Sequence, residues 1–314
     1  MPVLPSSLAT ALAAIIAAAP VAGCGFGAGP ASQGEAELTV TRDYGAEVLH
    51  EATVADPPES ETVIRLLDRE TEITTRYGGG FVQSIDGIEG GVEGGRSFDW
   101  FFYLNGVESE VGAAEVQVRG GDRIWWDHRD WTAAMRVPAV VGSWPQPFEQ
   151  QPAGPPVEVA CAGARAPCED ARAALASAGV EAEVVDSGGA SGDAPGMLVG
   201  PWSEIADERP AGLLAGEPAT SGVFAQFVAL GGTDTRLLAR DAHGRVAATL
   251  GSGAGLVAAT REGDAPPTWL ITGVDPDGVA RAAQALDTAT LANRYAVAVT
   301  PTGDELPLPV EESG

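Results

Sequence analysis

From Glu35 to Val54 the chain alternates. Leu38 and Val40 fall on one face with Thr39 and Thr41 on the other, a turn follows at Asp43-Tyr44-Gly45, and the chain returns through Val48 to Val54. A period of two marks paired strands, here a β-hairpin. The period then changes. Val63, Leu66 and Leu67 lie at i, i+3 and i+4 behind Ser60, which predicts a helix of about three turns with Ser60 as its N-cap. Phe81 to Ile85, Trp100 to Leu104 and Ile124 to His128 read as further strands. Asn105-Gly106 supplies the positive φ angles of a two-residue hairpin turn, and Gly120-Gly121-Asp122 supplies another turn after Val116 and Val118. The order ββαβββ, with one helix across a small mixed sheet, predicts a β-grasp-like domain over residues 36–137.

Beyond residue 156 strands and Ala-rich helices alternate. Val157 to Ala160, Val180 to Val185 and Met197 to Val199 read as strands, and Ala171, Ala174, Leu175 and Ala178 form the stripe of a helix ended by Gly179. Thr235 to Ala239 and Arg245 to Leu250 form a hairpin around His243-Gly244, followed by strands at Leu256 to Thr260 and Trp269 to Thr272. Asp275 caps a helix that begins at Pro276 and buries Val279, Ala282, Ala283 and Leu286; a strand from Tyr295 to Val299 follows. The fold class is therefore α+β: the β-grasp-like domain, then a partly antiparallel α/β sandwich over residues 157–310. Pro138, Pro145, Pro147, Pro152, Pro155 and Pro156 break helix and ladder alike and mark residues 138–156 as the linker.

The N-terminus changes the compartment. Residues 2–23 carry no charge, and an apolar stretch from Leu8 to Ala19 leads to Val21-Ala22-Gly23-Cys24. That stretch is shorter than the ~20 residues of a membrane span and matches a signal peptide followed by a lipobox. Residues 1–24 are thus expected to be the export signal with Cys24 lipidated, tethering the chain to the extracytoplasmic face of a membrane, and residues 25–35 to be a flexible spacer. Cys161 and Cys168 are the two cysteines left. One ends a strand and the other begins a helix, a short span that predicts a disulfide in an oxidising compartment.

Charge removes one class of partner. The net charge of −26, with 44 acidic residues against 18 basic ones, excludes a phosphate-backbone ligand such as nucleic acid. No catalytic or metal set assembles by spacing. His50, His128 and His243 are isolated, the glycines from 251 to 255 connect two strands, and Asp275 and Asp277 are explained by a helix N-terminus. Asp86, Glu89, Glu93 and Asp99 belong to a Gly-rich loop, which is more often solvated than metal-bound. A non-enzymatic chain without a metal or cofactor is expected.

Four motifs in the first domain carry a family likeness: Tyr77-Gly78-Gly79-Gly80-Phe81, Ser84-Ile85-Asp86-Gly87, Trp100-Phe101-Phe102-Tyr103-Leu104-Asn105-Gly106 and Gly120-Gly121-Asp122-Arg123-Ile124-Trp125. Together they resemble the DUF4430 group of bacterial domains, related to the C-terminal domain of transcobalamin and intrinsic factor. The likeness covers about a third of the chain. It implies a cobalamin or other corrinoid ligand, contacted by Trp100, Phe101 and Phe102, with Arg119 and Gly120 near a second loop. Phe102 stands where the vertebrate carriers have a polar amide, and the helical barrel of those carriers is absent.

The residues alone point to the same strand. Trp100 and Phe102 share one face, Phe101 and Tyr103 the other, and Trp125 and Trp126 repeat the pattern, so a half-exposed sheet cannot hide them all. Either they form a stacking platform, or the helix covers one face and the second domain the other. The expected function is a surface lipoprotein that binds a small ligand for a membrane transporter. The alternative is a structural or adhesive envelope protein using its aromatic face for protein contacts.

Overall fold

A computed structural model describes residue 1 and residues 31–77, 80–150, 155–189, 192–231 and 234–311. The Cys24 lipobox, most of the spacer, Gly78-Gly79 and Pro152 lie outside them. In the first half, β1 (Glu35–Arg42) and β2 (Glu47–Ala55) pair antiparallel, followed by α1 (Val63–Glu70), β3 (Ile73–Arg76), β4 (Phe81–Ile85), β5 (Ile88–Glu89), β6 (Gly91–Glu93), β7 (Arg96–Leu104), β8 (Val107–Glu108) and β9 (Arg123–Asp130). The main sheet runs β2-β1-β9-β7-β6, with β8 paired to β7, β1 parallel to β9 and β7 antiparallel to β9. Strands β3, β4 and β5 form a separate small sheet.

The helix is shorter than the apolar spacing predicts and starts later. Thr62, not Ser60, is its N-cap, and its side chain makes no cap bond. Loop carbonyls take that role: Val116 accepts the Val63 amide at 3.0 Å and Ala113 accepts the Ile64 amide at 3.1 Å. Asn105 and Gly106, at φ 55° and 79°, make the predicted two-residue turn between β7 and β8.

The second half contains β10 (Val157–Cys161), α2 (Arg165–Ser177), β11 (Ala182–Asp186) and β12 (Gly196–Pro201). Three one-turn helices follow, α3 (Trp202–Ile205), α4 (Arg209–Gly212) and α5 (Pro218–Ser221). An antiparallel sheet of β13 (Ala225–Ala229), β14 (Thr235–Arg240) and β15 (Val246–Leu250) comes next. The chain closes with β16 (Gly255–Thr260), β17 (Thr268–Gly273), α6 (Pro276–Gln284), α7 (Thr288–Leu291), β18 (Ala296–Val299) and β19 (Glu305–Leu308). A seven-stranded mixed sheet orders them as β11-β10-β12-β17-β16-β18-β19. Strand β13, the three short helices and β19 were not read from the sequence. Asp275 caps α6 by accepting the Gly278 amide at 3.0 Å, and its other oxygen accepts Ser252 Oγ at 2.5 Å and the Gly253 amide at 2.8 Å. The Gly251–Gly255 loop is thereby pinned to a helix N-terminus.

Both faces of the first sheet are covered. Leu38, Val40, Trp100, Phe102, Ile124 and Trp126 pack under Val63, Leu66 and Leu67 of α1. Tyr44, Tyr103 and Trp125 pack on the other side against Phe224, Leu256, Leu270 and Tyr295 of the second half. The segment expected as a linker is part of this packing. Val140, Val141, Trp144 and Phe148 are buried, and Trp144 and Phe148 contact Trp269 with ring centroids 5.4 and 5.2 Å apart. Proline does end helix and ladder here, but irregular backbone is buried where its amides find partners. The Val140 amide donates to Gly106 at 2.9 Å and the Val141 amide to Tyr295 at 3.3 Å.

Candidate ligand groove at the free edge of β7

Strand β7 pairs with β9 from Phe98 to Leu104, but its other edge is only partly covered. β6 pairs with Arg96 to Phe98 and β8 with Tyr103 and Leu104, which leaves Asp99 to Phe102 without a partner strand among the described residues. The direction of the exposed groups follows from the ladder. Asn105 donates its amide to Arg123 at 2.8 Å, so odd-numbered residues bond to β9 and the amides of Trp100 and Phe102 point the other way. The Phe102 carbonyl accepts the Ser109 amide at 3.0 Å on that outer side.

This edge floors a groove of about 400 Å³. Phe81 and Val82 form one wall, Ser109 to Ala113 another, and Trp100, Phe101, Phe102, Trp126, Met135 and Arg136 complete the lining. The aromatic rings are mostly sunk: Trp100 is 5% exposed, Phe102 8% and Trp126 3%. Phe102 stacks on Trp126 at 4.8 Å, and Trp100 donates Nε1 to the Ile88 carbonyl at 2.9 Å. Trp126 Nε1 is buried without a hydrogen-bond partner among the described residues. At the rim Val111 and Met135 are exposed.

Beneath the groove, Arg129 is fully buried with Cζ 3.8 Å from the Phe101 ring centre. It donates to the Ala134 carbonyl at 2.8 Å and lies 3.6 Å from Glu108. Glu108 also accepts the Val137 amide at 2.7 Å and faces Arg136 at 3.6 Å. The charge under the aromatic strand is thus paired, and it fixes the loop that carries Met135.

The expected platform is therefore split. Trp100, Phe101, Phe102 and Trp126 meet at the groove, but as a partly buried lining and not as an open stacking face. Tyr103 and Trp125 lie on the opposite side in the junction between the halves. The Tyr103 hydroxyl is 3.3 Å from that of Tyr295, and Trp125 Nε1 donates to Thr41 at 2.8 Å. Arg119 is exposed and lines another cleft with Leu104, Gln117 and Asp122. Gly120 packs on Gln33 and Gly34, where a Cβ would stand 2.0 Å from the Gln33 carbonyl. Residues 60–129 match the family described as "Domain of unknown function (DUF4430)". That DUF4430 segment contains α1, β3 to β8, most of β9 and both walls of the groove, but not β1, β2 or Met135. No curated protein matches the chain at a significant level. A crystal structure of a candidate metal binding protein from Ruminococcus gnavus aligns with 31% of this chain and 98% of its own, at 14% identity and a TM-score of 0.25.

The predicted disulfide is present, joining Cys161 at the end of β10 to Cys168 in α2 with Cα atoms 5.8 Å apart. Asp99 accepts Trp131 Nε1 at 3.2 Å and Asp86 accepts the Glu72 amide at 2.8 Å, so both are used within the fold. Sequence reasoning missed Met135, Arg136 and the Ser109–Ala113 wall, which lie in loops with no periodic signal. It also missed the polar cluster around Asp127. The signal there was Asp127 and Arg129 following Trp125 on the same face of the strand.

Proposed function

We propose that this chain is a non-enzymatic, lipid-anchored binding protein on the extracytoplasmic side of a membrane. It holds a small amphipathic ligand along the free edge of β7 and presents it to a transporter. The observation that carries the reading is the Asp99–Phe102 stretch, which has no partner strand among the described residues and whose outer edge borders an aromatic-lined groove. Concave sites with apolar walls and a few convergent polar groups are what small ligands use. Trp126 Nε1, buried with no hydrogen-bond partner among the described residues, supports a ligand that brings an acceptor when the lining adjusts.

Corrinoids are the proposed class: the resemblance to the C-terminal domain of transcobalamin and intrinsic factor implies a contact on the strand before Asn105-Gly106, and the groove runs beside that strand. A corrinoid would insert one edge, since the groove is far smaller than the whole macrocycle. The hairpin β1–β2, α1 across one face and the parallel β1–β9 pair support a β-grasp reading of the first half. The seven-stranded sheet with α2 and α6 against it supports a layered α/β reading of the second. Val21-Ala22-Gly23-Cys24 supports the anchor.

Titration calorimetry of the full chain with cobalamin, cobinamide and haem tests the ligand. Saturable binding of a corrinoid is expected, weakened several-fold by Met135→Asp at the exposed rim. Absence of saturation with all three overturns the reading. Fractionation tests the anchor: Cys24→Ser should shift the chain to the soluble fraction or leave an uncleaved precursor, and an unchanged lipid-labelled form overturns lipidation.

A further inference from the structure

A separate cavity of about 230 Å³ lies where the Asp43–Ala46 turn, the start of β7 and the residues after β19 meet. It shares no lining residue with the groove at the β7 edge. Tyr44, Phe98 and Val310 give it apolar walls, and Asp43, Arg96, Asp130 and Glu311 give it charge.

Asp130 is the unusual member, at 3% exposure. Its carbonyl accepts the Tyr44 hydroxyl and its Oδ1 accepts the Thr132 amide at 2.9 Å. Its Oδ2 is buried with no hydrogen-bond partner among the described residues. His243 Nδ1 lies 3.7 Å from it, beyond hydrogen-bond distance but close enough for an ion pair when the ring is protonated. A buried carboxylate oxygen without a donor is costly, and a cationic N–H group removes that cost.

Arg96 supplies the opposite charge. It is exposed, lies over the Phe98 ring with Cζ 5.1 Å from the centroid, and has no carboxylate partner among the described residues. Phe98 pairs with Asp130 across β7 and β9. Arg96, two residues from Phe98 on the same face, is the diagonal neighbour of Asp130, at a backbone spacing of about 7–8 Å. A guanidinium side chain is long enough to reach across that spacing toward Asp130.

We propose that this cavity binds a free α-amino acid with an aliphatic side chain, its ammonium on Asp130 and its carboxylate on Arg96. Phe98 and Tyr44 flank the ammonium with ring faces and edges, and Val310 meets the side chain. Because Val310 belongs to the second half and Asp130 to the first, the ligand bridges the two. This reading is independent of the corrinoid proposal.

Calorimetry on the full chain with L-leucine, isoamylamine and 4-methylpentanoate separates the charges. Leucine is expected to saturate one site, with the amine and the acid each weaker by about tenfold or more. Arg96→Gln, at an exposed position, should weaken leucine by about tenfold with an unchanged melting temperature, and Asp130→Asn should weaken it at least as much. Met135→Asp should leave leucine binding at the wild-type level. No saturation by leucine to about 10 mM, equal affinity for leucine and isoamylamine, or wild-type affinity in Arg96→Gln each overturns the proposal.

Discussion

Tyr295 donates its hydroxyl to Asp127 Oδ2 across 2.9 Å, tying the entry to β18 in the second half to the middle of β9 in the first. The other Asp127 oxygen accepts Thr41 Oγ1 at 2.5 Å and the Gly45 amide at 3.1 Å. Tyr44 and Tyr103 surround Tyr295 with ring centroids 5.1 and 5.7 Å away. The junction is therefore a buried carboxylate among aromatic rings, and its protonation bears on the stability of the whole chain.

Burial raises the Asp127 carboxyl from 3.8 to about 6, against the pull of its hydrogen bonds from Thr41 and Tyr295. The folded protein then holds this proton more tightly than the unfolded chain. The resulting stabilisation is complete below about pH 4 and is lost as pH rises through about 6. Urea unfolding should show stability falling between about pH 4 and 6. Asp127→Asn should be less stable throughout but with that slope flattened, and parallel pH profiles for the two proteins would refute the assignment.

Tyr295→Phe removes the hydroxyl and leaves a buried carboxylate one donor short. A loss of about 1.5–3 kcal/mol is expected at neutral pH, the range for hydrogen bonds to a charged group. The loss should shrink at about pH 5, where more of Asp127 is protonated. Denaturant titration at the two pH values checks both parts.

Trp100 and Phe102 line the groove but are also core residues against α1. Trp100→Ala and Phe102→Ala should each cost about 3–5 kcal/mol. Rim substitutions at the exposed Met135 should stay within about 0.5 kcal/mol. Thermal melts of the three variants decide this, and a near-neutral Trp100→Ala would mean that the strand is not packed as described.

The Cys161–Cys168 bond closes a short loop between β10 and α2. Reduction, or Cys168→Ala, should lower stability by about 2–3 kcal/mol, the expectation for constraining a loop of this length in the unfolded chain. Unfolding with and without reductant measures it. Free-thiol labelling of the unreduced denatured chain should find neither of these two cysteines.

Local chemistry was legible along the chain because it depends on near neighbours. The alternation at Leu38 and Val40 set a strand and its inward face, and the spacing of Val63, Leu66 and Leu67 set a buried helical stripe. Asn105-Gly106 set a hairpin, Asp275 a helix start, and the spacing of Cys161 and Cys168 a bridge. The sequence by itself also determined that Trp100, Phe101, Phe102, Tyr103, Trp125 and Trp126 could not all share one core face, since side chains alternate along a strand.

What covers each face was decided only in three dimensions. Periodicity reports that a residue is buried but not by which distant segment. Ser60 has the chemistry of a cap, yet the helix begins at Val63 behind Thr62, where the 113–116 loop brings carbonyls to its first amides. Residues 138–148 read as a linker from their prolines, yet Val140, Trp144 and Phe148 are buried by contacts with residues more than a hundred positions away. The groove, likewise, exists because two loops stand beside a gap in the pairing of β7. Which strand edge stays unpaired depends on where β6 and β8 end, and long-range register, not local composition, sets those ends.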